Sequence, residues 1–553
     1  MVVSGEKTQV LVLSQWPKDA VDLSIRVAGA RVEARETLNL LGVTLDRLLH
    51  FGPHCKRMRQ RTRPRLQHLR RLTGRDWGLE ERQLRIVANG YVRGALEHAA
   101  AAWLPAASPS HVEVLEREMR EAARVITGCT RSTPTEALMA EAGLAPVTAR
   151  KTTLAARFLA KARALPEEDP LRRVADATVN PRLKAVTGWR TVGLEAWHMA
   201  GVVAPIEPVL PPSVAPWEEA PPVVFDLGIG ATPPSGASAE TRRQAAALHL
   251  ASLPQCATWA WTDGSATGGV LDGGAGGYIE WPDGESHELR APAGKLCSSY
   301  RAEMVALRET LNYIGNHTDH EEDPIILCTD SQAALSALRS GPAEQRTQLN
   351  RAVWDALALV SDNGERQVRL QWVPSHCGLP GNEMADSLAK EAASLPQEQV
   401  PVDTRTVHRA AARAADARTR EQRPPGWFRT LMGTTRPPTV SGLDRLTAID
   451  VHQLRAGHWS GSQQYLHRIG KSPTRQCDAC NERACGGALC PLCKEEADTP
   501  DHILLRCPAQ MGLRFRLTGS IHAPTRETAR STSYIAAMAA ARRGMLSREA
   551  SRR

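Results

Sequence analysis

Four acidic side chains, each set at a different junction between strand-like and helix-like sequence, constrain this chain more than anything else in it. They are Asp263 in Trp261-Thr-Asp-Gly-Ser265, Glu303 in Arg301-Ala-Glu-Met304, Asp330 in Cys328-Thr-Asp-Ser-Gln332 and Asp386 in Gly381-Asn-Glu-Met-Ala-Asp386. The patterns between them alternate. Residues 257–263, 274–281 and 286–290 read as strands, with turn signals at Asp272-Gly273 and Asp283-Gly284, so an antiparallel meander is expected. Tyr300, Met304, Leu307, Leu311 and Ile314 then recur at helical spacing, which places Glu303 at the edge of a buried helix face. Residues 324–329 and 368–373 read as further strands, 331–340 and 344–362 as helices, and a last helix starts at Pro380 and runs through Asp386. Asp263 and Asp330 are thus expected at strand ends, and Glu303 and Asp386 on helices.

Four such carboxylates gathered in one place repel one another unless a cation neutralises them, and hard oxygen donors suit Mg²⁺ or Mn²⁺. In two-ion phosphodiester chemistry the ions lie about 3.5–4 Å apart, one activating water and the other steadying the leaving oxygen. Asp263 is the expected bridge between them, and Gly264 would let a phosphate approach the backbone. A single strand-terminal Asp is ordinarily a cap or turn residue, as Asp330 before Ser331 could be; four in this order are not explained that way. His376 lies in the Gly- and Pro-rich loop Trp372-Val-Pro-Ser-His-Cys-Gly-Leu-Pro-Gly381, from which an imidazole can relay a proton.

At 553 residues the chain is too long for one core. The pattern divides it into a basic, mainly helical region (1–163), a Pro/Gly-rich linker (164–250), the α/β block (251–396), a basic helical connector (397–475), a cysteine-rich module (476–510) and a basic tail (511–553). The charge of +9, from 69 Lys+Arg against 60 Asp+Glu, suits a polyanionic partner. Between Asp46 and Asp76 there is no acid, and Arg57, Arg61, Arg65, Arg70 and Arg71 fall there. They are a candidate phosphate rail, the alternative being a solvated helix face. The sequence shows neither a secretory signal pattern nor an apolar run long enough for a bilayer, so an intracellular protein with no membrane partner is expected.

The α/β block resembles a type I ribonuclease H domain. Trp261-Thr-Asp-Gly-Ser265, Tyr300-Arg-Ala-Glu303, Thr329-Asp-Ser331, Trp372-Val-Pro-Ser-His376 and Gly381-Asn-Glu-Met-Ala-Asp386 match that family's signatures in order. The resemblance implies a five-stranded mixed sheet with flanking helices. It also implies cleavage of the RNA strand of an RNA–DNA hybrid, leaving 5′-phosphate and 3′-hydroxyl ends, with Asp263, Glu303, Asp330 and Asp386 as ligands of two Mg²⁺ or Mn²⁺ ions and His376 as the loop histidine. Gly264, Ser265, Ser331 and Gln332 are the expected contacts to substrate 2′-hydroxyls.

The first 163 residues resemble the thumb-side end of a non-LTR retrotransposon reverse transcriptase, through Leu41-Gly-Val-Thr-Leu-Asp46, Phe51-Gly-Pro-His54, Trp77-Gly78, Trp103-Leu-Pro105 and Ala140-Glu-Ala-Gly-Leu-Ala-Pro146. The polymerase palm needs adjacent aspartates and this chain contains no Asp-Asp, so polymerase activity is not expected. Near the C-terminal end, Cys490-x2-Cys493-x8-His502-x4-Cys507 is a Cys₃His set suited to tetrahedral Zn²⁺, similar to the zinc finger of such polyproteins. Cys477, Cys480 and Cys485 form an incomplete second set, to which His467 could add, or are free thiols. The expectation is a retroelement-derived hybrid ribonuclease whose basic regions and finger hold template RNA or target DNA, with nuclear action following from that origin. The alternative is a non-catalytic nucleic-acid-binding remnant.

Overall fold

The computed structural model describes residues 4–14, 16, 23–177, 187–215, 217–218, 221–230, 237–317, 323–361, 365–471 and 489–551. The chain divides into two compact units, one built from residues 1–155, 180–192 and 412–553, the other from 156–179 and 193–411.

The second unit is a mixed six-stranded sheet between helices. Its elements are β1 (Val223–Asp226), α1 (Ala239–Ala251), β2 (Thr258–Thr267), β3 (Leu271–Glu280), β4 (Ser286–Leu296), α2 (Ser299–Gly315), β5 (Ile325–Thr329), α3 (Gln332–Leu338), α4 (Gln348–Val360), β6 (Val368–Trp372) and α5 (Pro380–Ala392). The strand order is β1-β6-β5-β2-β3-β4. β2, β3 and β4 are the antiparallel meander, whereas β6 runs parallel to β1 and β5, and β5 parallel to β2. Period-two alternation sorts the side chains to two faces. Ala260, Leu327 and Leu370 join Leu307, Leu311 and Leu357 in one core, while Trp261, Ile326 and Cys328 join Leu250, Leu379 and Ala385 in the other.

Three expectations are corrected here. The sheet has six strands and not five, because residues 164–250 are not simply a linker. Val223-Val-Phe-Asp226 pairs in parallel with β6, and α1 buries Ala246 and Leu250 against the sheet. Pro221 and Pro222 flank that strand without interrupting it, and an edge strand tolerates neighbouring proline because one side of its ladder is free. Asp263 sits within β2 and not at its end, since β2 continues to Thr267. The turn falls instead at Gly268 and Gly269, whose φ values of +58° and +76° suit glycine, and Asp272-Gly273 belongs to β3.

Helices approach this sheet at backbone contact. A Cβ on Gly276 would lie 2.2 Å from the Ala385 carbonyl oxygen and one on Gly274 2.1 Å from that of Ala389, so α5 can rest on β3 only because both strand residues are glycine. A Cβ on Gly264 would lie 2.2 Å from the Glu303 amide nitrogen, which fixes how closely α2 meets β2.

In the first unit two β-hairpins (Ser24–Val27 with Ala30–Glu33, and Thr37–Leu40 with Val43–Asp46) precede the helices Gly52–Arg70, Pro109–Thr127 and Thr135–Ala142. The region expected to be mainly helical therefore begins with strands. Residues 412–553 do not form a separate connector, module and tail. Phe428, Leu431, Met432 and Ala456 share one core with Met58, Leu115, Met119 and Leu138. A buried ionic contact joins the same segments: His452 lies 2.7 Å from Glu81 and 2.7 Å from Glu141, one carboxylate at each ring nitrogen. Burial pulls that imidazole's pKa down, but Glu141 and Glu81 outweigh it and hold the group above its ordinary value. No helix among the described residues is long and apolar enough to cross a membrane.

Replacing Gly276 by Ala is expected to lower the stability of the α/β unit by about 1–3 kcal/mol, the usual cost of overpacking. A shift of the denaturant midpoint of the full chain, measured against a Gly228→Ala control where an added Cβ meets nothing within 4 Å, checks this.

Candidate functional site

Three of the four carboxylates meet. Asp263, Glu303 and Asp330 present oxygens that all lie within 4.8 Å of one another. Asp263 comes from the middle of the central strand β2, Asp330 from the end of the adjacent parallel strand β5, and Glu303 from the second turn of α2, brought close by the missing side chain of Gly264. That glycine was expected to admit phosphate; in the structure it admits the helix that carries Glu303. The Asp263 carboxylate accepts a 2.7 Å hydrogen bond from the Gly264 amide, and the Trp372 indole donates to the Asp330 carbonyl oxygen at 3.1 Å, tying β6 to the end of β5.

Electrostatics mark this cluster as costly. Burial and then the Asp330 charge push Asp263 up to about 7 from an ordinary 3.8. Burial, with Asp263 and Asp330 beside it, holds Glu303 well above its ordinary value. Burial likewise raises Asp330, against a lowering by the nearby His376. Glu303 Oε2 is buried and has no hydrogen-bond partner among the described residues. An orphaned carboxylate oxygen facing two further carboxylates is what a divalent cation would satisfy, so this donor set fits Mg²⁺ or Mn²⁺.

Asp386 is not within that closest group. It projects from α5, its charge raises both Asp263 and Asp330, and its Oδ2 accepts from Lys390 Nζ at 2.5 Å. Lys390 was not singled out from the sequence, although its position one helical turn after Asp386 signals such a pair. His376 is exposed on the β6–α5 loop with φ 48°, a left-handed conformation unusual outside glycine. Ser265 and Ser331 are half-buried and Gln332 is exposed. Ser331 precedes α3 without its side chain capping the helix, and Gln332 Nε2 reaches the Leu227 carbonyl oxygen at 3.4 Å.

The second cluster is in the other unit. Cys490, Cys493, His502 and Cys507 also offer ligand atoms within 4.8 Å of one another. Cys490 Sγ is 3.9 Å from Cys507 Sγ, and Cys493 Sγ is 3.3 Å from His502 Nε2. Tetrahedral zinc with Zn–S near 2.3 Å sets its sulfurs about 3.8 Å apart, so the set fits. Cys490 and Cys493 sit on a tight hairpin closed by the Cys490 amide donating to Glu496 O and left-handed at Lys494. His502–Arg506 is a π-helical turn, with the Cys507 amide bonding His502 O at 2.8 Å. An α-helix stacks residues three and four apart; the wider turn stacks His502 and Cys507, which are five apart.

Arg542 was missed, since it lies 52 residues from Cys490 with no local signal. It is fully buried, donates from both terminal nitrogens to Cys490 Sγ at 3.5 Å, and pairs with the buried Asp498. Ile503 and Leu504 pack into the core of the C-terminal helices with Ile535 and Met538, so the cluster is built into the unit's interior. Cys477, Cys480 and Cys485 lie outside the described residues.

Of the five rail arginines, Arg57, Arg61 and Arg65 stand four apart on the helix Gly52–Arg70 and so fall on one side of it, whereas Arg70 falls toward another. Arg57 bonds Asn39 Oδ1 (2.7 Å) and Arg65 bonds Tyr91 O (2.8 Å) while lying over the Tyr91 ring. Arg70 pairs with Glu121 at 2.5 Å, and Arg61 and Arg71 are exposed.

The mixed sheet and its converging acids define an α/β nuclease domain. Residues 255–394 match the family model for RNase H. The ribonuclease H of Pectobacterium carotovorum subsp. carotovorum (strain PC1) is 30% identical over 147 residues, which cover 25% of this chain and 89% of that protein. The chain belongs to the ribonuclease H family through this domain. It is also 31% identical over 129 residues to a retrovirus-related Pol polyprotein from the type-1 retrotransposable element R1 4 of Nasonia vitripennis, covering 23% of this chain and 32% of the polyprotein. The chain thus spans about a third of that relative's length. The crystal structure of RNase H1 from the halophilic archaeon Halobacterium salinarum NRC-1 covers 24% of this chain and 96% of its own, at 27% identity and a TM-score of 0.20.

Two outcomes are expected. Because the folded domain holds the Asp263 proton up to about pH 7 and the unfolded chain releases it near 3.8, this group's contribution to stability is greatest at low pH and declines as pH rises between those values. In magnesium-free buffer Asp263→Asn should therefore melt above the parent at pH 8 and lose that advantage at pH 4; thermal melts at both pH values check it. Changing Cys490 and Cys493 together to Ser should remove about one zinc per chain, measured by elemental analysis, and lower the melting temperature of the unit that contains them.

Proposed function

We propose that the chain hydrolyses the RNA strand of RNA–DNA hybrids at the centre formed by Asp263, Glu303, Asp330 and Asp386. The observation that carries this reading is the convergence of three carboxylates, two buried and one half-buried, one of them with an orphaned oxygen, at a place where burial and mutual repulsion oppose their ionisation. Such crowding is retained for chemistry, not for packing.

Asp263, Glu303 and Asp330 would hold a divalent cation, and Asp386 would complete the set by turning from Lys390. Two such ions, when bound, supply water activation and charge stabilisation at the leaving oxygen. The protein's own part is to fix the acids on rigid strands and helices and to exclude water from their buried sides. His376, exposed and near enough for its charge to act on Asp330, would carry a proton between the site and solvent. Ser265, Ser331 and Gln332 border the acids in sequence and offer hydroxyl and amide groups to ribose 2′-hydroxyls, with the Gly264 backbone beside them. The partial likeness to a retroelement polyprotein supports an origin in such an element, in which the Cys490, Cys493, His502 and Cys507 set takes zinc.

The test is cleavage of an RNA strand labelled at its 5′ end, offered to the full chain as hybrid, single strand and RNA duplex with Mg²⁺ or Mn²⁺. Cleavage of the hybrid alone is expected, with Asp263→Asn at least 100-fold slower and His376→Ala slowed about 10- to 100-fold, the range general acid–base catalysis supplies. A parent indistinguishable from Asp263→Asn would establish the non-catalytic reading instead.

A further inference from the structure

The two long helices Gly52–Arg70 and Pro109–Thr127 flank an open hollow of about 600 Å³ lined by arginines from both, including Arg59, Arg63 and Arg70 from one and Arg124 from the other. Arg70 and Arg124 also line a second cavity of about 310 Å³, which extends the hollow to Arg75 and to Arg543 of the C-terminal helix Thr532–Ala550. Across the two linings stand nine different arginines against three acids, Glu118, Glu121 and Asp450. Adding Glu113, which pairs with Arg117 and Arg120, leaves nine against four. The acids are shared: Glu118 takes Arg59 at 2.8 Å and Arg63 at 3.7 Å, and Glu121 takes Arg70 at 2.5 Å and Arg124 at 2.8 Å. A guanidinium has five donors, so each pairing holds the side chain in place and leaves donors for another oxyanion.

A second feature lies on the same hollow. Immediately after the first helix the chain turns back on itself, with the Gly74 amide donating to Trp77 O at 2.9 Å and the Leu79 amide to Leu72 O at 3.0 Å. The Trp77 indole rests on Gly74, where a Cβ would lie 2.2 Å from Nε1, and yet the residue is 58% exposed. Thr73, Gly74 and Arg75 of this turn line the smaller cavity. A large aromatic ring is thus held by main-chain hydrogen bonds beside a run of arginines, with most of its surface left to solvent.

We propose that this groove binds single-stranded nucleic acid, its phosphates on Arg70, Arg75 and Arg124 and an unpaired base stacked on Trp77. Stacking platforms set along a cationic groove are how proteins hold unpaired strands without reading their sequence. A hollow of this size admits individual nucleotides, whereas a duplex keeps its bases from the indole. The site is distinct from the carboxylate centre and uses none of its residues.

The test is fluorescence anisotropy of the full chain with a 20-nucleotide RNA, the DNA of the same sequence, and the DNA duplex, in magnesium-free buffer so that no cleavage enters. Both single strands are expected to bind more tightly than the duplex. Arg70→Gln with Arg75→Gln should weaken single-strand binding about tenfold and reduce the slope of log affinity against log salt by about 1.4, two phosphate contacts at ~0.7 each. Trp77→Ala should cost about fivefold or more and Trp77→Phe should recover most of it. Arg31→Gln, an exposed arginine outside the groove, should bind as the parent does, and unchanged melting temperatures confirm folding. Affinities of the groove variants within twofold of the parent, or a parent preferring the duplex with Trp77→Ala silent, would overturn the proposal.

Discussion

The closeness of helix backbone to sheet is the constraint on which the ribonuclease H unit depends. Gly264 lets the start of α2 touch β2, and Gly274 and Gly276 let α5 lie on β3; without those three missing side chains the helices would stand off and Glu303 and Asp386 would be withdrawn from the strand-borne aspartates. The contact has a cost. It drives two buried acids and a half-buried one together, and burial with their mutual repulsion raises the pKa of Asp263, Glu303 and Asp330. Close packing of the backbone overcomes the repulsion because it is spread over two helices and both cores, while the repulsion is confined to one point.

The other unit solves the opposite problem, that of joining segments distant in sequence. Its N-terminal helices share one core with Phe428, Leu431, Met432, Ala456 and Ala529, and the buried His452 is held between Glu81 and Glu141 with Arg455 3.6 Å from the latter. Buried charges of this kind add little net stability but tolerate no partial assembly, because removing one leaves the others unpaired. The Cys₃His cluster has the same character. Cys490 and Cys507 are fully buried and Arg542 faces the Cys490 thiol, so the cluster is part of the core, and a freely projecting finger is not what the fold presents.

How much could be read beforehand follows from the range of each signal. The order of helices and strands across residues 257–392 was legible because burial of one face leaves its period in the sequence, although β2 runs on to Thr267 and β4 to Leu296, past the 263 and 290 expected. The edge strand Val223–Asp226 was hidden: four residues among prolines carry no period, and their partner β6 lies more than a hundred residues away. A charge run says nothing about helical phase, and phase sent Arg57, Arg61 and Arg65 to one side of their helix and Arg59, Arg63 and Arg70 toward another. Among the site residues the acids and the Cys₃His set were legible from spacing, whereas Arg542 acts through a contact no local motif encodes.

By itself, then, the sequence determined which chemistry the chain can hold: hard carboxylates in four settings, soft thiolates with one imidazole, and an excess of arginine. Each is a property of side-chain type and short-range spacing, which survive without a fold. Only the tertiary structure decided that three of the four acids are closest while Asp386 is engaged by Lys390, that a π-turn aligns His502 with Cys507, and that arginines from two helices face one hollow beside an exposed indole. Those outcomes rest on distances between elements far apart in the chain, and such distances are set by packing.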